Sequence, residues 1–162
     1  MLARRIKSVL GRLLFMTGLP QRRWRDRALV VVFHRVDGRY PENGLNCPPE
    51  RFAAFCDFFR RYWTVVPLQE LVRRLGAGES VGGLLAITFD DGYRDNWTAA
   101  APILRRHGLP ATFFITTEFI GSTYTPWWDE AEGIRAEWMT WDDVRALASA
   151  GFEVAPHTRT HV

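Results

Sequence analysis

Two groups of side chains in this 162-residue sequence have the types and spacing for metal-assisted hydrolysis. One is Asp90-Asp91-Gly92, which abruptly ends the apolar run LLAITF (84–89). The other is His157 and His161, four residues apart in PHTRTH. That spacing brings two imidazoles to one point if the segment turns helically. With one carboxylate they make a set of two histidines and an acid that leaves positions open on a bound cation. Such a cation polarises a carbonyl and lowers the pKa of an attacking water toward ~7. A second carboxylate nearby can take the proton of that water. The adjacent acids then divide the labour, one binding and one accepting, and the cation offsets the repulsion that would otherwise raise one pKa. Successive strand residues face opposite ways, so both acids reach one centre only through a turn, which Gly92 permits.

The elements that must position these groups alternate along the chain. ALVVVFH (28–34) reads as a continuous, buried type of strand ending at His34. PPERFAAFCDFFRRYW repeats Phe52, Phe55, Cys56, Phe59 and Trp63 at helical offsets, with Pro49 near its first turn. TVV (64–66) is a short strand, PLQELVRRLGAG a helix closed by Gly76, and LLAITF the next strand. NWTAAAPILRRHG follows as a helix that contains Pro102. ATFFIT (111–116) is a strand, then residues 117–139 form a long connection. Thr140 and Asp143 open a capped helix that runs to Gly151, and FEVA is the last strand. This alternation predicts an α/β fold with a parallel sheet or barrel. In such folds chemistry gathers at the carboxyl ends of strands, where His34, Asp90–Asp91 and His157–His161 all fall. A DDG after a strand is by itself often only a turn, and an isolated histidine pair is common. Their joint placement at two strand ends carries the argument.

Composition sets the outer bounds. A 47% hydrophobic and 24% charged content is ordinary for a globular chain. Residues 1–27 hold eight basic groups against Asp26, a net +7, so residues 28–162 carry −4 of the total +3. An acidic body argues against nucleic-acid binding. We divide the chain into a basic N-terminal extension (1–27) and one domain (28–162). Leu2, Ile6, Val9, Leu10, Leu13 and Leu14 recur at helical spacing in the extension. It reads as an amphipathic helix that either touches an anionic membrane surface or packs on its own domain. Arg12 interrupts any signal-peptide core, and no apolar run reaches the ~18 residues of a span. These features favour a cytoplasmic or membrane-peripheral location, and the sequence assigns none. Cys47 and Cys56 make no CxxC pair and are expected to be free, buried thiols.

TFDDGY (88–93) and HTRTH (157–161) resemble the first two motifs of the NodB-homology polysaccharide deacetylases, carbohydrate esterase family 4. ALVVVFHRV is similar to the family's opening strand, GLPATFFI to the strand after the first motif, and MTWDDVRALASAGFEVAPHTRTH to the approach to the second. The resemblance covers about residues 28–162. It implies the N-terminal portion of a distorted (β/α) barrel and metal-dependent removal of acetyl groups from a polysaccharide or oligosaccharide. It also implies Asp90 as catalytic base, Asp91, His157 and His161 as metal ligands, and Thr158 as the hydroxyl that braces the ligand loop. Zinc is the default cation for such ligands; cobalt, nickel and iron are alternatives. The sequence ends one residue past His161, before the motifs that supply groove walls, an oxyanion donor and an acid histidine. We therefore expect a fragment of the barrel.

Trp127 and Trp128, in the long connection, either stack on sugar rings or fill space beneath their loop. His34 is placed to line the mouth of the site, and His107, before Gly108, to cap a helix. GAGESVGG (76–83) lacks the Lys-Ser/Thr of a phosphate loop and reads as a turn. The competing functional reading is a catalytically incomplete remnant that binds glycan or membrane at most. An iron-dependent oxygenase uses a similar ligand set, but usually on an all-β fold.

Overall fold

The computed structural model describes Thr17, Gly18 and residues 26–161. The amphipathic helix and membrane contact expected of the N-terminal extension rest on Leu2 to Leu14, which lie outside the described residues. Among those described, no helix is long and apolar enough to cross a membrane.

The strands are β1 (Leu29–Phe33), β2 (Thr64–Val65), β3 (Leu84–Phe89), β4 (Thr112–Ile115) and β5 (Glu153–Pro156). All pair in parallel in the order β1-β3-β4-β5, with β2 against the start of β3. Every residue of β3 is buried, as its unbroken apolar run predicts. β1 departs from expectation. It alternates, and Val30 and Val32 are 48% and 51% exposed. Only the face bearing Leu29, Val31 and Phe33 packs on the core, because nothing among the described residues covers the other.

Register explains how the strand ends come level. Phe33, Phe89 and Phe113 stand side by side on three adjacent strands. Their rings stack, with centroids 5.6 Å apart for Phe33–Phe89 and 4.7 Å for Phe89–Phe113. Phe52 meets Phe33 and Phe89 edge-on, and Phe152 meets Phe113 the same way. Each such contact adds about 0.5–1.5 kcal/mol to the burial of the rings. Phe52 comes from helix α1 (Pro49–Tyr62), which buries Phe52, Cys56 and Phe59 as its periodicity requires. One residue beyond this aromatic row the chain delivers His34 and Asp90, and the Asp90 N–H continues the ladder to the Phe33 carbonyl at 3.0 Å. The row therefore sets the height at which His34 and Asp90 emerge.

The remaining helices are α2 (Leu68–Gly76), α3 (Ala101–His107), α4 (Trp127–Glu130) and α5 (Trp141–Ser149). α5 begins with the expected capping box, in which Thr140 and Asp143 exchange side-chain and backbone hydrogen bonds. The helix expected over NWTAAAPILRRHG starts instead as one π-helical turn, Asn96–Ala100. Pro102 has no N–H to donate and its ring crowds the carbonyl four residues back, so the wider turn relieves both. Cys47 and Cys56 are free and buried, and burial pushes their thiols up to about 11 and about 12.

The aromatic row yields a stability prediction. Phe89→Ala removes the middle ring and should cost about 3–5 kcal/mol in urea denaturation. A loss below 1 kcal/mol would show that the row does not organise the strand ends.

Candidate metal centre

The turn after β3 carries the two acids. The Asp90 carbonyl accepts a hydrogen bond from the Gly92 N–H at 3.0 Å. Asp91 itself adopts a left-handed backbone, φ +74°, and Gly92 follows at +94°. A Cβ on Gly92 would come within 2.9 Å of Ile120 Cδ1, which could shift, so it is the positive φ that favours glycine here. Thr116, just past β4, donates its N–H to the Asp91 carbonyl at 3.2 Å. The result points the Asp91 side chain inward, 1% exposed, and leaves Asp90 half-buried.

The loop after β5 supplies the imidazoles, and not by the helical turn expected from their spacing. Thr158 and His161 are both left-handed, at φ +60° and +66°. This loop is latched to the segment after β4. His157 N–H bonds to the Ile115 carbonyl (2.8 Å), Thr116 Oγ1 donates to the His157 carbonyl (3.2 Å), and Glu118 N–H bonds to the Arg159 carbonyl (3.0 Å). Thr158 Oγ1 accepts from the His161 N–H at 3.0 Å. Among the described residues, Asp91, Thr158 and His161 are the non-glycine residues with positive φ. Each costs roughly 1 kcal/mol or more, and all three lie in this one constellation.

Its geometry brings two remote segments together. Asp91 Oδ1 lies 3.1 Å from His161 Nε2 and 3.6 Å from His157 Nε2. The three residues can each offer one ligand atom, all within 4.8 Å of one another. Oδ1 of Asp91 is buried yet accepts no hydrogen bond. Burial pushes the Asp91 carboxyl up, His34, His161 and His157 draw it back, and the neighbouring Asp90 raises it again. A divalent cation would compensate such an oxygen, and a carboxylate with two imidazoles fits one. His34 is thus close enough to act electrostatically on Asp91. Its own carbonyl accepts from Asn96 Nδ2 at 2.7 Å.

An aromatic wall flanks the histidines. The Trp128 ring centre lies 4.9 Å from that of His161, and Phe119 lies 6.2 Å away at 23°. Trp127, at the other end of the pair, is 72% exposed and meets Trp128 edge-on. Behind the wall, Tyr93 and Trp138 stack 4.5 Å apart. Sequence reasoning did not single out Phe119, Tyr93, Asp129, Trp138 or Arg35. The only available hint was Asp129 itself, an acid set within an aromatic stretch.

A profile of the polysaccharide deacetylase family matches residues 77–162, which include Asp90, Asp91, His157 and His161. The chain belongs to that family. Members typically bind a metal and act on acetylated polysaccharides. A Bacillus subtilis relative, YxkH, whose name places it among polysaccharide deacetylases, is 24% identical over 135 residues. Those residues are 82% of this chain and 43% of YxkH. Among solved structures, IcaB from Ammonifex degensii superposes with a TM-score of 0.68 at 22% identity, over 84% of this chain and 54% of IcaB. The Streptococcus pyogenes deacetylase PplD, solved in complex with acetate, gives 0.66 at 20% identity over 83% and 57%. The fold is therefore an α/β fold whose parallel sheet matches part of the deacetylase barrel, and the chain spans about half the length of these relatives.

One more acid ties the site together. Asp95 Oδ1 accepts from the Val36 N–H (2.7 Å) and from Asn96 Nδ2 (3.1 Å), joining the turn after β1 to the turn after β3. Burial, with Asp37 adding, pushes its carboxyl up to about 7. A raised acid favours the protonated folded state. Its stabilising contribution is full below about pH 4 and is lost as pH rises toward 7. Asp95→Asn keeps an acceptor oxygen and cannot ionise. Its stability relative to the parent chain should grow between pH 4 and 7 and level off above; a pH-independent difference in urea midpoint would contradict this.

Proposed function

We propose that this deacetylase domain removes N- or O-linked acetyl groups from a polysaccharide or oligosaccharide, with Asp91, His157 and His161 holding a divalent cation. The observation that carries this reading is the buried Oδ1 of Asp91, without a hydrogen bond and facing both imidazoles. Zinc suits the ligand set best, and cobalt, nickel and iron are the other ions with matching preferences. When bound, the cation supplies Lewis acidity to an acyl carbonyl and to the attacking water.

The chain's own residues do the rest. Asp90 sits one peptide from the Asp91 carboxylate and remains half-buried, open to substrate. It is the acceptor for the proton of the attacking water. Thr158 Oγ1, bonded to the His161 N–H, holds the left-handed loop that aims the second imidazole. His34, one residue past β1 and close enough to act electrostatically on Asp91, is the residue we assign to the mouth of the site. Trp127 offers its exposed face to an apolar sugar surface, whereas Trp128 backs His161 and shapes the wall.

The test separates binding from chemistry. Asp91→Asn and His157→Ala should abolish stoichiometric zinc binding in equilibrium dialysis. Asp90→Asn should retain zinc and reduce acetate release from an acetylated glycan by about 10²–10⁴. Acetate release undiminished in Asp90→Asn would sink the assignment. Glycan binding without acetate release in the parent chain would instead make this a non-catalytic module.

A further inference from the structure

Behind the candidate metal centre lies a buried polar chain, whose Arg35, Asp129 and Tyr93 the proposed reaction does not use. Asp129 is fully buried, and Arg35, only 2% exposed, pairs with its Oδ1 through Nη1. The second Asp129 oxygen accepts the Tyr93 hydroxyl at 2.9 Å. That hydroxyl in turn accepts from the Trp128 indole N–H at 3.0 Å. The Arg35 guanidinium sits over the Tyr93 ring, 5.3 Å from its centre, and Trp138 stacks on the ring. At the end of the chain, Trp128 meets His161.

The direction of this chain is fixed by chemistry. A carboxylate only accepts, so the phenol must donate to Asp129 and keep its lone pairs for the indole, which only donates. The Arg35–Asp129 pair alone would tie the long connection to the turn after β1. The two further bonds extend that tie to an indole against an imidazole. His161 needs such a backing: its backbone is left-handed, its side chain is one-third exposed, and it belongs to no helix or strand itself.

We propose that Asp129, Tyr93 and Trp128 are positioning residues that fix the His161 imidazole in the orientation that coordinates the cation. This rests on the metal-centre reading above. Groups that orient a ligand without touching the ion typically contribute 10–100-fold in metal affinity.

Tyr93→Phe keeps the stacked ring and removes the hydroxyl at the middle of the chain. Trp128→Phe keeps an aromatic wall and removes only the indole and its N–H. Zinc affinity by chelator competition and the visible spectrum of the cobalt-loaded full chain would be measured beside the metal-free melting temperature. We expect both variants to bind zinc about tenfold or more weakly, with an altered cobalt band. Parent-like affinity and spectrum in the folded variants, whether or not they melt lower, would reduce the chain to a structural tie and overturn the proposal. An Asp91→Asn control that binds zinc like the parent would overturn the metal-centre reading itself, and the positioning role with it.

Discussion

The Asp91 carboxylate is the group on which the rest of the structure turns. It is buried, beside another acid, on a left-handed residue, with one oxygen that accepts no hydrogen bond. Left alone, each of these features is unfavourable. They become consistent if two imidazoles and a cation share the carboxylate. The strained Thr158 and His161 backbones belong to the same bargain. The bonds from Ile115, Thr116 and Glu118 hold the 157–161 loop in a shape its sequence would not choose unaided.

Register converts that local strain into a site. The stacked Phe33, Phe89 and Phe113 level three parallel strands, so His34 and Asp90 emerge side by side, and β5 delivers His157 one residue past its pairing with Ile115. Asp95 and Asn96 then tie the first two turns together, and the aromatic wall closes the far side. Stability is thus concentrated beneath the strand ends, while the site above them carries the unfavourable backbone and burial terms. The same division makes the outer face of β1 a different case. Val30 and Val32 face away from the core, and among the described residues β1 and β5 each pair on one side only, as a sheet matching part of a barrel should.

Much of this was legible in the residues. The strand runs, the capping box at Thr140, the DDG turn and the placement of both motifs at strand ends follow from patterns within ten or so residues, where local physics dominates. The motifs also pointed to the family before any fold was visible. What escaped were long-range or conformational facts. Arg35 and Asp129 are 94 residues apart, and no periodicity couples them. The histidine spacing suggested a helical turn, because no glycine marks a left-handed backbone within 157–161 and β-branched Thr158 rarely adopts one. The uncovered side of β1 was hidden for the opposite reason: its composition matches a strand buried on both faces, and only topology decides which face is met.

The most direct measurement is X-ray absorption at the zinc edge of the metal-loaded chain. The account predicts a shell of two imidazole nitrogens and carboxylate oxygen at about 2.0–2.2 Å, with no sulfur. Sulfur ligation near 2.3 Å, pointing to Cys47 or Cys56, or a shell without imidazole scattering, would contradict it.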